Sequence, residues 1–233
     1  SLTASLTLLT ASDRIKMGAQ KGFNKSISGV DVILGPRSGG LDLVLYTVFH
    51  IGKPTNNITT KTVDDLRSRT DIKWLVPISL GDSHRGFRVV ATNANYFTHI
   101  KYGDGSPLRF SSGSAFEQRS DVVIGAEVAR RLDYSIGTSI FVSHGSAESL
   151  GKTHDDFAFQ VAGILKPTGT PIDRAVFMTL EGYELIHLGW QSGTQIFSLK
   201  NLDIKTIPKE SLKPKTITAA YVGLSSPFEI FQF

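Results

Sequence analysis

The hydrophobic pattern of the chain begins with an amphipathic segment, residues 8–27. Apolar side chains recur there at spacings of seven and four residues, with charged and amide side chains between them, which predicts a helix. Gly29 ends this pattern, and the β-branched run 30–34 predicts a short strand. A glycine-rich turn, residues 35–40, then leads into the apolar run 41–51, which predicts a buried helix.

Two strands joined by a polar loop form the next pattern. Alternating segments at 74–80 and 87–92 predict a β-hairpin, with residues 81–86 as an exposed loop between the strands. Before this hairpin, residues 62–70 predict a short helix that Thr62 caps, with an aspartate three positions later.

Helices and strands alternate again in the second half of the chain. A loop-rich stretch at residues 101–113 predicts a subdomain boundary. Beyond it, the pattern predicts strands at 121–125, 139–143, 157–165, 176–178, 196–199, 204–207 and 216–224, and helices at 126–132 and 181–188.

Composition places the chain among folded globular proteins. It has 233 residues, 40% of them hydrophobic, and no cysteine, which excludes thiol catalysis and cysteine-ligated metals. Lys and Arg total 25 against 21 Asp and Glu, and no aromatic residue lies among the lysines of 200–215, so we expect no nucleic-acid binding. No apolar window approaches the roughly 20 residues that span a bilayer. The chain starts at Ser1, and we expect it to be a soluble fragment of a longer protein.

The glycine-rich turn has the placement of a phosphate-binding P-loop, between a strand and a helix. Gly35 and Gly40 have the P-loop spacing, but Leu41 and Asp42 follow where a P-loop has Lys and then Ser or Thr. Because a carboxylate there would repel phosphate, we interpret these glycines as a sharp turn and expect no cofactor.

A second motif resembles the opening of the Gly-Asp-Ser-Leu esterase motif. It contains Asp82, Ser83 and His84, and the nearest late acid–histidine pair is Glu184 with His187. No Gly-x-Ser-x-Gly nucleophile elbow is present. We interpret these residues as an exposed turn, and a periplasmic hydrolase or ligand-binding protein that uses them stays as the alternative function.

Six histidines could in principle bind a metal ion, but none has the i, i+4 spacing of a helical zinc site. The nearest approach to a cluster is His144, His154, Asp155 and Asp156 in one loop. A solvated loop tip rich in Gly and Ser is the favoured interpretation, so no metal is predicted.

The second half carries a more specific pattern than any of these motifs. A hydrophobic strand and a Gly-x-x-x-Ala-x-x-Leu helix occupy 121–132, an Ile-Gly-Thr-Ser-Ile strand start lies in 136–142, and a Phe-Gln-Val-Ala-Gly-Ile strand lies in 159–165. This order resembles the periplasmic core domain of MacB/FtsX-type ABC transporter permeases. Thr138 stands where the family often has Asp, and the loop 168–176 looks like that of uncharacterised permeases of this type.

The resemblance implies an α+β fold, in which a porter-like domain of mixed α/β layers carries an inserted small α/β subdomain rich in strands. The expected parts are an amphipathic helix continuing from a first transmembrane helix (1–27), a first porter segment (28–108), the inserted subdomain (109–180) and a second porter segment leading to a second transmembrane helix (181–233). Both chain ends are then expected on the membrane side of an extracytoplasmic domain.

The function implied by the resemblance is transport without catalysis. The domain would couple ATP hydrolysis by a cytoplasmic ABC ATPase subunit to a periplasmic protein, a lipoprotein or a hydrophobic substrate, in a homo- or heterodimeric inner-membrane permease. Efflux, lipoprotein handling and regulation of a cell-wall hydrolase all stay open. The candidate partner-contact loop is Pro167, Thr168, Gly169, Thr170, Pro171, Asp173 and Arg174, and its alternative is an ordinary Pro/Gly connection.

Overall fold

One mixed β-sheet organises the chain. A computed structural model describes residues 22–23, 25–37, 39–52, 54–144, 157–188, 190–191, 194–195 and 206–231. Its strands, in chain order, are β1 (Val32–Leu34), β2 (Ile58–Thr59), β3 (Ile72–His84), β4 (Phe87–Thr92), β5 (Lys101–Tyr102), β6 (Ser106–Pro107), β7 (Phe110–Gly113), β8 (Asp121–Ile124), β9 (Ser139–Ile140), β10 (Ser143–His144), β11 (Phe159–Leu165), β12 (Ala175–Thr179), β13 (Trp190–Gln191), β14 (Thr194–Gln195), β15 (Thr216–Ile217) and β16 (Ala219–Leu224).

Helices lie between these strands. They are α1 (Gly40–Thr47), α2 (Thr60–Arg67), α3 (Asn95–His99), α4 (Ala126–Leu132) and α5 (Leu180–Leu188), with short 3-10 helices at Pro171–Arg174, Lys209–Leu212 and Pro227–Phe231. Residues 22–23 and 25–26 are also helical.

The main sheet has the strand order β1-β16-β3-β4-β12-β8-β11-β7, with β10 added to β3 and β9 added to β11. Most of its pairings are antiparallel, but β12 runs parallel to β4 and β11 runs parallel to β8. Three two-stranded sheets lie outside the main sheet, formed by β2 with β15, β5 with β6 and β13 with β14. The expected mixed α/β architecture is therefore confirmed.

Strand β3 joins the two halves of this sheet. Its first part, from Ile72 to Ile78, pairs with β16, and its last part pairs with β4 on one edge and with β10 on the other. At about 3.3 Å per residue, its 13 residues span about 40 Å. One continuous strand thus connects opposite ends of the domain.

The first and last strands of the sheet lie side by side. Val32 pairs with Val222, and the two strands are antiparallel, so the start of β1 lies beside the end of β16. Asp31 strengthens this junction, because its backbone N–H donates to the Val222 carbonyl at 2.9 Å and its carboxylate accepts from the Leu224 N–H at 2.8 Å. The incoming and outgoing chain therefore meet at one end of the sheet, which we call the proximal end.

Both faces of the sheet are buried. Val89 and Val90 are neighbours on β4, yet they belong to different hydrophobic cores because side chains alternate between the faces of a strand. The Val90 core contains a cluster of aromatic rings that includes Tyr96, Phe177 and Tyr221. The Val89 core lies under α4, α5 and the chain between β9 and β10.

Several predicted elements match closely. Helix α4 has the predicted limits, and β8, β12 and α5 differ from prediction by one residue at most ends. The predicted helix at 8–27 lies mostly outside the described residues, and the predicted strand at 196–199 lies wholly outside them. Of the strand predicted at 204–207, residues 204–205 lie outside them, and residues 206–207 are not strand.

Two helix predictions need correction. The helix predicted for 41–51 ends at Thr47 and is not a buried helix, because only its last two residues, Tyr46 and Thr47, are buried. Leu41 at its start is 72% exposed. The second helix begins at Thr60 rather than Thr62. The side chain of Thr59 caps it by accepting from the Thr62 backbone N–H.

The predicted hairpin loop and one predicted strand also need correction. Residues 81–84 continue β3 rather than forming an exposed loop, and only residues 85–86 make the turn, both with left-handed backbone conformations that suit a tight hairpin. The strand predicted at 139–143 is divided into β9 and β10, which pair with different strands.

The predicted subdomain boundary falls within one continuous sheet. Strands β7, β8, β11 and β12 belong to the segment 109–180, and β12 pairs directly with β4 of the preceding segment. The division into porter parts and an inserted subdomain stays a prediction.

Candidate functional site

The candidate site lies at the end of the sheet opposite to the paired ends of β1 and β16, which we call the distal end. It is formed by the β3–β4 turn (residues 85–86), the connection 166–174 and the start of α4. Strand pairing brings these three parts together at the same end of the sheet. Ala175 lies opposite Arg88, and the Ala175 carbonyl accepts a hydrogen bond from the Gly125 N–H at 2.9 Å. The predicted partner-contact loop therefore lies at the end of the sheet opposite to the start of β1 and the end of β16.

The connection 166–174 is ordered by a buried aspartate. The carboxylate of Asp173 accepts from the Thr168 N–H and the Gly169 N–H, both at 2.8 Å, and from the Thr168 hydroxyl at 2.8 Å. Thr170 adds a cap, since its hydroxyl accepts from the Ile172 N–H at the start of a 3-10 helix. These bonds satisfy the loop backbone locally, so the loop has a defined shape without a partner.

The predicted contact residues divide into a surface and a support. Pro167, Gly169 and Arg174 are exposed, and Thr168 and Pro171 are partly exposed. Thr170 and Asp173 are buried beneath them, at 8% and 9% exposure. The buried pair therefore shapes the surface that the other five residues present.

Close packing fixes this loop against α4. A Cβ atom on Gly125 would lie 2.4 Å from the carbonyl oxygens of both Ile172 and Asp173, a distance that only glycine avoids. Glu127 in the first turn of α4 lies 3.9 Å from the Arg174 guanidinium and 2.8 Å from that of Arg131. The loop and the helix therefore form one unit at the distal end.

An ion pair between a buried carboxylate and a half-buried histidine joins the end of β3 to α5. The Asp82 carboxylate is fully buried, and its Oδ2 lies 3.4 Å from His187 Nε2. His187 Nδ1 donates to the Tyr183 carbonyl at 2.6 Å, which orients the ring toward Asp82. Burial alone would lower the pKa of His187, but the hydrogen bond and charge of Asp82, with help from the Tyr183 carbonyl and Glu184, raise it above its ordinary value.

A second histidine at the same end is buried and has a different environment. His84 Nδ1 donates to the Phe141 carbonyl, and its Nε2 accepts from the Tyr134 hydroxyl at 3.0 Å. Burial lowers the pKa of His84, and the charge of Arg85 lowers it further against the opposing effect of the carbonyl. His84 is therefore a neutral imidazole that ties β3 to the chain between α4 and β10.

These contacts correct the interpretation of Asp82, Ser83 and His84 as an exposed turn, since all three are buried in β3. They also do not assemble as a hydrolase site. Ser83 pairs directly across the strands with Arg88, whereas Asp82 contacts α5, so they lie on opposite faces. Both ring nitrogens of His84 already have partners, so neither can accept a proton from Ser83.

The remaining sequence candidates form no ligand site in the described part of the chain. Strand β1 ends at Leu34 and helix α1 begins at Gly40, as the glycine-rich turn predicts. A Cβ on Gly39 would lie 3.3 Å from the Asp42 carboxylate, an unsuitable neighbour for phosphate. Among the described side chains, no three metal-binding residues converge. His154, Asp155, Asp156 and the His144 side chain lie outside what the structure describes.

Sequence reasoning missed the partners of His84 and His187. Tyr134 and Phe141 carry no local signal for this role, because they come close to His84 only through the path of the chain after α4. Arg88 was also missed, although a charged residue in an otherwise apolar strand is a signal that something polar contacts it.

Comparison with known families shows the family to which this chain belongs. The family model described as "MacB-like periplasmic core domain" matches residues 5–214, which is most of the chain. The chain belongs to this family.

The solved structures that match this chain include periplasmic and extracellular domains. The periplasmic region of MacB from Actinobacillus actinomycetemcomitans is 12% identical, with 85% of this chain and 77% of that chain covered and a TM-score of 0.45. The extracellular domain of the noncanonic ABC-type transporter YknZ from Gram-positive bacteria is 14% identical, with 76% and 78% covered and a TM-score of 0.40. A search of curated proteins found no match.

Membership of the MacB-like family confirms the resemblance and the predicted periplasmic location. The chain is a periplasmic domain of a MacB-like ABC transporter permease, a class of permease that works with a cytoplasmic ATPase. Within the described ranges, no helix combines the length and apolar character needed to cross a membrane.

The buried ion pair predicts a pH dependence of stability. Because the pKa of His187 is raised in the folded state, the pair stabilises the fold fully below the unfolded pKa, about 6.5, and loses this effect as pH rises through the folded pKa. We expect the difference in unfolding free energy between the unmodified protein and His187→Gln to shrink as the pH rises above about 6.5. Urea unfolding at several pH values measures it.

The matched control for this experiment is His84→Gln. The pKa of His84 is lowered in the folded state, so its stabilisation is lost as pH falls and the corresponding difference should grow with rising pH. A His187→Gln difference that is constant or grows with pH would contradict the ion pair.

The Asp173 network predicts the behaviour of the contact loop. Asp173→Ala removes the acceptor of three hydrogen bonds, and each bond to a charged group contributes roughly 1.5–3 kcal/mol. We expect amide hydrogen exchange at Thr168 and Gly169 to accelerate at least about tenfold. Asp121→Ala is the control, because Asp121 accepts in the same way from Glu117 and Gln118 N–H groups outside this loop. Unchanged exchange in Asp173→Ala would show that the loop is ordered by other contacts.

Proposed function

We propose that this domain transmits a conformational change, driven by a cytoplasmic ABC ATPase, to a partner in the periplasm. The observation that carries the proposal is the path of the chain. The start of β1 and the end of β16 pair at the proximal end, and the long strand β3 runs from there to the distal end. Movement applied at the proximal end would therefore reach the distal end through one continuous strand.

The packing of the domain supports transmission as a rigid body. The sheet is buried on both faces, and interiors packed at crystal-like density deform little under load. The segment from β9 to β10 links two separate strands of the sheet, since β9 pairs with β11 and β10 pairs with β3. The two sides of the distal half are thus connected by a second route besides the sheet itself.

The connection 166–174, which we call the distal loop, is the proposed contact with the partner. Pro167, Gly169 and Arg174 stand at the surface on a base that Asp173 orders in advance, so binding would cost little conformational entropy. The partner would be a periplasmic protein, a lipoprotein or a hydrophobic substrate, and the domain itself would perform no catalysis. The full-length permease would act as a homo- or heterodimer.

The test uses the full-length permease assembled with its ATPase. Since this domain has no cysteine, Lys166→Cys introduces a unique site in it for a spin label, on the exposed start of the distal loop. In a homodimer, we expect ATP binding to change the distance between the labels on the two copies. An ATPase variant that cannot bind nucleotide should keep the distance at its resting value. An identical distance distribution with and without ATP in the active complex would contradict the proposal.

A further inference from the structure

A small polar pocket lies beside the β3–β4 turn, apart from the contact loop. Its volume is about 240 Å³, and its walls include Arg88, Thr55, Asn56 and Asn57. Leu80 on β3 also borders it and belongs to the core on the face away from the Asp82–His187 pair. The pocket therefore opens on a surface separate from the buried ion pair.

Arg88 is the only ionisable side chain that borders this pocket among the described residues. Its Nη2 donates to the Gly52 carbonyl at 2.7 Å and to the His50 carbonyl at 3.3 Å. A guanidinium carries five N–H groups, and within the described chain the Nε and Nη1 groups of Arg88 have no protein acceptor. Arg88 thus anchors the preceding segment with one nitrogen and leaves the others available.

The charge of Arg88 is not neutralised in the part of the chain that the structure describes. No carboxylate lies within ion-pair distance of it there, and Asp82, close in sequence to the bordering Gly81, contacts His187 on the other face. His50 adds no positive charge, because burial and then the charge of Arg88 lower the pKa of His50 to about 4. A half-buried cation without a counter-ion gains from binding an anion.

The surrounding groups favour one kind of anion. Asn56, Asn57 and Thr55 are exposed amide and hydroxyl side chains that can donate hydrogen bonds to an oxygen placed in the pocket. A carboxylate presents two coplanar oxygens, which match the parallel N–H groups of one guanidinium. The guanidinium also matches the geometry of phosphate, but phosphate carries more charge, and the described walls offer no second cation to balance it.

We propose that this pocket binds a carboxylate group, held by Arg88 and by the side chains of Asn56 and Asn57. The carboxylate could come from a small free acid or from the C-terminus of a peptide, since the chemistry of recognition is the same. The binding would be independent of the coupling role proposed above.

The experiment is an NMR titration of the 233-residue chain. The probes are N-acetylglycine, a pentapeptide with a free C-terminus, the same peptide as its C-terminal amide, and inorganic phosphate. We expect saturable shifts of the Arg88 Nε–H and of the Asn56 and Asn57 side-chain amides with the carboxylates and none with the amide peptide. Shifts with both carboxylates support a site for any carboxylate, and shifts with the peptide alone support a site for a chain terminus.

Variants separate Arg88 from general charge effects. Arg88→Lys should weaken carboxylate binding at least about tenfold, because an ammonium lacks the paired N–H geometry. Arg85→Lys, an exposed arginine in the same hairpin, should leave the affinity unchanged. If Arg88→Lys unfolds, the surface double variant Asn56→Leu with Asn57→Leu keeps the Arg88 anchor and should still weaken binding. Absence of saturable shifts, equal binding of the amide peptide, tighter binding of phosphate, or equal affinities of the unmodified protein and both variants would overturn the proposal.

Discussion

Backbone pairing along strand β3 is the constraint on which the rest of the structure depends. Its first part holds β16 and, through β16, the incoming strand β1. Its last part holds β4 and β10, and β4 in turn carries β12, β8 and β11. Without β3 the proximal and distal strands would form two separate sheets, so the mechanical continuity of the domain is a property of this one strand.

The distal end of β3 shows how the strand is joined to the layers around it. The pairing register between β3 and β4 shifts between Leu80 and Ser83, so β3 has one extra residue there. At this irregularity a Cβ on Gly81 would contact the Tyr183 hydroxyl and Asp82 contacts His187, so both residues face α5. Two residues further on, His84 contacts Tyr134 and Phe141. Strand β3 is thus attached to α5 by charge and to the chain after α4 by hydrogen bonds.

Local patterns predicted the elements whose own residues determine them. Strand β8 and helix α4 follow from a β-branched run, a glycine and an amphipathic helical segment, and they lie where expected. The loop around Asp173 was recognised as a candidate surface, but its order depends on hydrogen bonds that composition does not reveal.

The errors come from residues whose environment is set by distant parts of the chain. Asp82, Ser83 and His84 have the composition of a turn, yet they are buried because His187, Phe141 and Tyr134 supply partners far along the sequence. The Arg88 pocket also cannot be predicted from the local sequence, since it forms only when the segment before α2 packs against β4. Local sequence patterns therefore do not predict the burial or the partners of polar residues that belong to a tertiary hydrogen-bond network.

The central claim is that the domain moves as one rigid body between its proximal and distal ends. A pair of spin labels within one domain of the full-length permease tests it, with Ser225→Cys beyond β16 and Arg174→Cys on the distal loop, both exposed. The account predicts the same distance, within about 2 Å, in the nucleotide-free and ATP-bound complexes. A change of about 5 Å or more would contradict it, because the sheet would then have to slip or open between its two halves.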